Sequence, residues 1–202
     1  MNKKIESISF DFWGTLFRSN PEFSEKRTLL LQEFGISKEL IIKELNEYKT
    51  RYKELESQGI HLYRDNYIEK LFHNRGLINI SYYVNYCNEL FLKYPPIEIY
   101  PGLINDILKL KENHSVFIAS NTGNIHGDIL SIFIFNTLEI IKQNCLFSDE
   151  IGCTKPQCDM FFDVDIHVGD NPLTDGKCTE KHIQYYEVNQ NHTLKSFIYE
   201  NL

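Results

Sequence analysis

The first group with the chemistry of a catalyst is an aspartate placed directly after an apolar run. The run is Ile5 to Phe10, and the string Asp11-Phe12-Trp13-Gly14-Thr15-Leu16 follows it. Ligands of open α/β sheets bind outside the carboxyl ends of the parallel strands. We therefore interpret Asp11 as a carboxylate nucleophile at the end of a buried strand. Trp13, two residues further on, offers an indole N–H donor and no acidic group.

Three later strings carry polar groups that could bind an anionic substrate or a metal ion. They are Ser120-Asn121 after the run Ser115 to Ala119, Gly152-Cys153-Thr154-Lys155-Pro156, and His167-Val168-Gly169-Asp170-Asn171, with Asp175 five residues beyond Asp170. A carboxylate that attacks a phosphoryl group approaches a negative charge, so it needs cations nearby. Lys155 supplies one positive charge. Asp11 and Asp170 are hard oxygen donors of the kind that bind Mg²⁺.

The pattern of apolar residues predicts the elements that hold these groups. Four short apolar runs predict buried parallel strands: Ile5 to Phe10, Ser115 to Ala119, Ile166 to Val168 and Gln184 to Val188. Between Asn20 and Pro96, apolar residues recur three and four apart, which predicts four amphipathic helices. Two further helices are expected, at Leu103 to Glu112 and from about Asp128 to Gln143. The fold class is therefore α/β.

Together and in this order, the four strings resemble the motifs of the haloacid dehalogenase superfamily of hydrolases, with a helical cap inserted after the first motif. The resemblance spans nearly the whole chain. It implies a Rossmann-like parallel sheet core formed by residues 1–18 plus 97–202, and a helical-bundle cap formed by residues 19–96. The two connections, near Ser19 to Pro21 and Tyr94 to Pro101, are expected to act as the hinges of a lid.

The resemblance also implies roles for individual residues. Asp11 would attack the phosphoryl group, with Ser120 and Lys155 completing the catalytic set. The substrate would be bound by Gly14, Thr15, Ser120, Asn121 and Lys155. Mg²⁺ would be held by Asp11, Asp170 and the backbone carbonyl of Trp13, with Asp175 near the metal and acting through water or a neighbouring ligand.

Trp13 changes what the resemblance implies for the mechanism. In phosphatases of the family, the second residue after the nucleophile is an aspartate that protonates the leaving group and then activates water. Trp13 stands at that position and can do neither. Loss of general acid–base help costs about 10² to 10⁴ in rate. One hypothesis is therefore a phosphatase that prefers leaving groups needing no proton, such as acyl phosphates or activated aryl phosphates, with slow turnover of an aspartyl-phosphate at Asp11.

Two other functions stay open at the level of the sequence. Dehalogenases of the family carry an aromatic residue at the position of Trp13 and release a halide without protonation. They work without a metal, however, and lack the acid at the position of Asp170, so Asp170 and Asp175 favour magnesium and a phosphoryl group. The third function is that of a phosphate-ligand sensor or interaction protein that has lost catalysis. The short stretch between Lys155 and Gly169 fits such a reshaped surface.

Composition limits the partners of the chain. With 202 residues, 42% of them hydrophobic, it can bury a core of its own. The net charge of −7 gives no basic field for nucleic acid or an anionic membrane surface, so the expected partner is a small phosphorylated molecule. The apolar runs are shorter than the about 20 residues of a membrane span, and no signal-peptide pattern is present. Five cysteines without a CxxC pair indicate reduced thiols. A cytoplasmic location is expected, and the oligomeric state is left open.

Overall fold

The protein is built around a five-stranded parallel sheet. A computed structural model describes residues 5–62, 73, 80–123 and 125–202. The strands of the sheet are β1 (Ser7–Phe10), β4 (Ser115–Ser120), β5 (Cys145–Phe147), β6 (Ile166–Gly169) and β7 (Gln184–Glu187), in the spatial order β5-β4-β1-β6-β7. Two short strands, β2 (Phe17–Arg18) and β3 (Ile97–Glu98), form a separate antiparallel pair.

The predicted α/β class is confirmed, because each of the four predicted runs forms a strand and the strands of the main sheet run parallel. β1 lies at the centre of the sheet, where Ile8 stands opposite Val116 of β4 and Ile166 of β6. Parallel strands end at the same edge of a sheet. The residues that follow β1, β4 and β6 therefore come together, and these include Asp11 and Asp170.

The described residues form seven α-helices. They are α1 (Pro21–Glu33), α2 (Lys38–Glu56), α3 (Ile80–Lys93), α4 (Leu103–Leu110), α5 (Gly127–Leu138), α6 (Ser148–Ile151) and α7 (Leu194–Asn201), and short 3₁₀ helices cover Lys142–Asn144, Cys158–Met160 and Asp175–Lys181. Within the described ranges, no helix combines the length and the apolar character that a bilayer crossing requires.

Helices α1 to α3 lie between β2 and β3, in residues 19–96, which we call the helical insert. Asn20 and Ser37 cap the first two helices, because their side chains accept hydrogen bonds from the backbone N–H groups of Glu22 and Leu40. The insert has a hydrophobic cluster of its own, which includes Leu31 of α1. The fourth helix predicted here falls on residues 63–79, which lie outside the described residues apart from residue 73. The division into residues 1–18 plus 97–202 and residues 19–96 stays a prediction.

The long helix predicted from about Asp128 to Gln143 is confirmed up to Leu138, and the prediction is wrong beyond that residue. Helix α5 ends at Leu138, and Glu139 adopts a left-handed conformation with φ 54°. The chain then turns through a 3₁₀ helix into β5, a strand that the sequence analysis missed. Ile140 and Ile141 continue the apolar pattern past the true helix end, and a three-residue strand is too short to show a periodicity of its own.

The two connections to the helical insert are joined to each other. In the β2–β3 pair, Phe17 stands opposite Glu98 and Arg18 stands opposite Ile97. Phe17 also contacts the turn after Asp11, because the Gly14 N–H donates to the Phe17 carbonyl at 2.8 Å. Of the segments predicted to be hinges, Ser19 to Pro21 therefore directly follows β2, and Tyr94 to Pro101 contains its partner β3.

Candidate active site

Lys155 links the ends of three strands at the edge of the sheet. Its Nζ donates to Asp11 Oδ1 at 2.6 Å, to Asp175 Oδ1 at 2.5 Å and to the Ala119 carbonyl at 3.0 Å. The side chain is buried, and burial opposes its charge. The two carboxylates outweigh this effect and hold the pKa of Lys155 above its ordinary value. Lys155 is therefore a fixed cation beside the predicted nucleophile.

Asp175 is held by donors on both of its carboxylate oxygens. Oδ1 also accepts from His167 Nε2 at 3.2 Å, and Oδ2 accepts from the Asn171 N–H at 3.1 Å. Although burial opposes the shift, Lys155 and His167 keep the pKa of Asp175 well below its usual range. Asp175 is therefore ionised, and its oxygens are engaged in fixing Lys155 and the loop after β6.

His167 extends this network into the sheet. Its Nδ1 lies 2.7 Å from Ser9 Oγ of β1, and the ring is fully buried. Because an ionised carboxylate can only accept, Nε2 carries the proton toward Asp175, and Ser9 donates to Nδ1. Burial also lowers the pKa of His167, so the ring is neutral at neutral pH.

Asp170 stands against the turn that follows Asp11. Gly14 in that turn has a φ of +87°, and a Cβ at this position would collide with Asp170 Oδ2. Glycine is therefore required both for the backbone conformation and for the approach of the carboxylate. The Thr15 hydroxyl lies 3.5 Å from Asp11 Oδ2 and also bonds to Asp170, so it bridges the two acids.

Three carboxylates at this edge form a donor set for a hard cation. Asp11, Asp170 and Asp175 each offer an oxygen, and the three atoms lie within 4.8 Å of one another. Lys155 balances one of these negative charges, and burial raises the pKa of Asp11 to about 7 even though Lys155 lowers it. Two buried carboxylates and the exposed Asp170, with excess negative charge, form a donor set that fits Mg²⁺. Since both oxygens of Asp175 already accept hydrogen bonds, Asp11 and Asp170 are the better direct ligands.

These groups surround a small cavity of about 110 Å³, which we call the reaction cavity. It is lined by Asp11, Trp13, Glu56, Asn121, Lys155, Asp170, Asn171, Thr174 and Asp175. Most of the predicted site residues are thus brought together, and Gly14 and Thr15 adjoin them. Ser120 differs, because it is fully buried behind the cavity and its Oγ lies 3.4 Å from the Asn121 carbonyl. The predicted roles of these residues stay predictions.

The side chain of Asn121 is used to hold protein groups. Its Oδ1 accepts from the Lys155 N–H at 2.8 Å, and its Nδ2 donates to the Lys155 carbonyl at 3.3 Å and to Glu56 Oε1 at 2.7 Å. A contact between Asn121 and a substrate therefore has to come from its backbone. The side chain instead ties the Lys155 loop to the end of α2.

A second and larger cavity adjoins the first between the helical insert and the sheet. Its volume is about 320 Å³, and we call it the aromatic chamber. It is lined by Trp13, Ser19, Asn20, Phe23, Tyr48, Tyr52, Glu56, Phe91, Tyr94, Pro96, Asn121, Gly123 and Ile125. Trp13, Glu56 and Asn121 line both cavities, so they form the boundary between them. The half-buried Trp13 ring packs edge-on against Phe12, with 4.8 Å between the ring centroids.

Sequence reasoning missed two parts of the site. Glu56 is the last residue of an amphipathic helix, and nothing in the sequence separates it from Glu54 on the same helix. His167 did carry a signal, because it interrupts a buried apolar strand, and a buried polar side chain in such a position requires partners.

Comparisons with known proteins identify the fold. No protein-family model and no curated protein sequence matches the chain. Among solved structures, the HAD-hydrolase YfnB from Bacillus subtilis, bound to magnesium, has a TM-score of 0.64 at 13% identity and covers 98% of this chain and 99% of its own. A HAD phosphatase from Thermococcus onnurineus has a TM-score of 0.61 at 18% identity, with 96% of each chain covered. The 2-haloacid dehalogenase from Pseudomonas syringae pv. Tomato DC3000 has a TM-score of 0.62 at 14% identity, also with 96% of each chain covered. At these identities the likeness concerns the fold, and it includes both kinds of hydrolase.

Proposed function

We propose that this chain, which has the haloacid dehalogenase-like fold that its sequence motifs predicted, is a magnesium-dependent phosphatase acting on a small phosphorylated molecule through an aspartyl-phosphate at Asp11. The observation that carries the proposal is the position of Asp170. Its carboxylate stands beside Asp11 only because Gly14 lacks a side chain. An acid held there adds negative charge to an already acidic site, which is useful when a cation is to be bound.

The residues of the site suit an attack on phosphorus. Asp11 Oδ2 is the nucleophile, since Oδ1 is engaged with Lys155 Nζ at 2.6 Å. Lys155 offsets the charge of the nucleophile and of the incoming phosphoryl group. Mg²⁺, held by Asp11, Asp170 and the Trp13 carbonyl, would supply the remaining neutralisation of the phosphoryl oxygens. Asp175 acts by fixing Lys155, and the Gly14 and Asn121 amides are the proposed donors to the phosphoryl oxygens.

The aromatic chamber supports a substrate whose leaving group has an apolar body. Phe23, Tyr48 and Phe91 contribute to its lining, and among the described lining residues Glu56 is the one whose side chain is formally charged. An anionic leaving group would therefore find no cation among the described lining residues of the chamber. Neutral aromatic or aliphatic groups are favoured, because their burial against apolar side chains is stabilising.

A substrate screen tests this function. Aryl, benzyl and acyl phosphates are offered to the wild type with Mg²⁺ and with excess EDTA, and phosphate release is measured. We expect metal-dependent release by the wild type and a covalent phosphate, found by mass spectrometry, that is absent from Asp11→Asn. Asp163→Asn is the matched control, since Asp163 is an exposed aspartate away from the cavity. Equal rates for Asp11→Asn and the wild type would refute the covalent mechanism.

The second candidate function is hydrolysis of a carbon–halogen bond. Trp13 favours it, because a half-buried indole beside Asp11 supplies no proton and a halide needs none. Halide release from 2-haloacids without metal, unchanged in Asp170→Asn, would support this function against the phosphatase. Binding of phosphate without turnover of either substrate class would instead favour the sensor.

A further inference from the structure

The proposed phosphatase lacks an acid at the position of Trp13. A carboxyl group, that of Glu56, nevertheless lies at the boundary between the reaction cavity and the aromatic chamber, where Trp13 also lies. Trp13, Glu56 and Asn121 are the residues that line both the reaction cavity and the aromatic chamber. A leaving group that extends from Asp11 into the chamber must therefore pass Glu56. Among these three residues, Glu56 is the one with an exchangeable acidic proton.

Glu56 is fixed at this boundary by contacts from the core. Asn121 Nδ2 donates to Glu56 Oε1 at 2.7 Å. Thr154, next to Lys155, donates from Oγ1 to the Glu56 carbonyl at 3.3 Å and from its N–H to the Gly59 carbonyl at 3.0 Å. These bonds pin the end of α2 to the Lys155 loop. The hydrogen bond from Asn121 then fixes the position of the carboxyl group itself.

We propose that Glu56 is the general acid and base of the reaction, standing in for the group that Trp13 replaces. This inference rests on the proposed function. Asp11 forms a bond to phosphorus, the bond from phosphorus to the leaving oxygen breaks, and that oxygen takes the proton of the Glu56 carboxylic acid. The Glu56 carboxylate then removes a proton from water while the water oxygen attacks phosphorus and the bond to Asp11 breaks. Alcohol and phosphate are released, and Glu56 has its proton back.

The charges around Glu56 suit an acid that must hold its proton before the reaction. Burial raises the pKa of Glu56, with a smaller increase from Asp175, while Asn121, Lys155 and Tyr52 oppose the shift. Tyr52, on the same helix, has its own pKa raised by burial and stays a neutral donor. Lys155 and Asp175 are the charged groups that reach Glu56 from the core. A carboxyl group with a raised pKa can hold a proton and donate it near neutral pH, as a general acid must.

The test uses three substrates that share an aromatic body and differ in their need for a proton: p-nitrophenyl, phenyl and benzyl phosphate. We expect Glu56→Gln to lower the single-turnover rate of alcohol release from benzyl phosphate by about 10² or more and to change that rate for p-nitrophenyl phosphate by less than about threefold. Hydrolysis of the shared aspartyl-phosphate should slow with all three substrates, because it needs the base. The substrate concentration that gives half the maximal single-turnover rate should stay nearly constant, because Gln keeps the shape and the hydrogen bond from Asn121. With benzyl phosphate, the wild-type rate should fall as the pH rises and the acid loses its proton. This alkaline limb of the pH–rate profile should be absent from Glu56→Gln.

Glu54→Gln is the matched control, because Glu54 lies on the same helix and is exposed. Partial recovery of benzyl phosphate hydrolysis in Glu56→Asp would further support proton transfer. An equal loss of the single-turnover rate of alcohol release on all three substrates would show a structural role and overturn the inference, as would unchanged single-turnover rates. If the wild type releases phosphate from none of the aryl, benzyl and acyl phosphates with Mg²⁺, the proposed function itself fails, and the role of Glu56 fails with it. Hydrolysis of acyl phosphates alone would leave the proposed function standing and overturn the role of Glu56 as the acid.

Discussion

Replacing Lys155 by methionine tests whether the active site is held together by one buried cation. Lys155 Nζ bonds to Asp11, Asp175 and the Ala119 carbonyl at 2.6, 2.5 and 3.0 Å, and the side chain is 2% exposed. Methionine fills much of the same volume but leaves two buried carboxylates without their partner. We therefore expect a large loss of stability from a substitution that creates little empty space.

The size of this loss follows from the burial of the pair. Removal of one partner of a buried ion pair costs about 3–5 kcal/mol. Unfolding entropies of about 2.1 cal/mol/K per residue give about 0.4 kcal/mol/K for 202 residues, so Tm should fall by about 7–12 °C. In an Asp11→Asn background the same substitution should cost at least about 1 kcal/mol less, because one stranded charge is gone.

The assay is urea denaturation in EDTA at pH 7.5, since a bound cation would mask the missing charge. Lys177→Met is the control, because Lys177 pairs with Glu180 at 2.9 Å on the surface and should change stability by less than about 0.5 kcal/mol. A loss below about 1 kcal/mol for Lys155→Met, or the same loss with and without Asp11→Asn, would refute the argument.

Three further substitutions test other contacts. Gly14→Ala should weaken Mg²⁺ binding by about 10- to 100-fold in calorimetric titrations, because its Cβ would push Asp170 away; unchanged affinity would exclude Asp170 as a ligand. Gly127→Ala should lower the free energy of unfolding by about 1–3 kcal/mol in urea, because its Cβ would lie 2.6 Å from the Phe147 ring. Hydrogen bonds outweigh burial and lower the pKa of Asp149 to about 2, so its stabilisation is complete above pH of about 4 and is lost as the pH falls toward 2. Asp149→Asn should therefore lower Tm at pH 7 and reduce the loss of Tm below pH 4; parallel Tm profiles would contradict this.

The parts of the site that follow strands were predictable from the sequence. Asp11 and Asp170 come directly after runs that had to be buried, and parallel strands deliver their carboxyl ends to one edge. Lys155 was predicted to belong to the site because its motif resembles one of the family, and no hydrophobic periodicity pointed to it. The distances between these groups, and the burial that shifts the pKa of Asp11, depend on the packed structure.

The contribution of the helical insert was not predictable in the same way. Helical periodicity identifies the buried face of α2 through residues such as Ile41 and Tyr48. It does not show which end of the helix meets the core. The bonds from Thr154 and Asn121 that select Glu56 cross sequence separations of 98 and 65 residues. The predicted end of helix α5 was wrong for a related reason. A left-handed residue such as Glu139 can end a helix inside an uninterrupted apolar pattern.

The β2–β3 pair constrains how the helical insert is able to move. Two separate tethers would allow it to swing and twist freely, whereas strands bonded at Phe17–Glu98 and Arg18–Ile97 act as a single ribbon. A ribbon bends easily in one direction and resists the others, so rocking about one axis is the expected motion. Because the Gly14 N–H is bonded to the Phe17 carbonyl, that bending pulls on the turn that carries Trp13. We therefore expect movement of the helical insert to change the shape of the turn after Asp11.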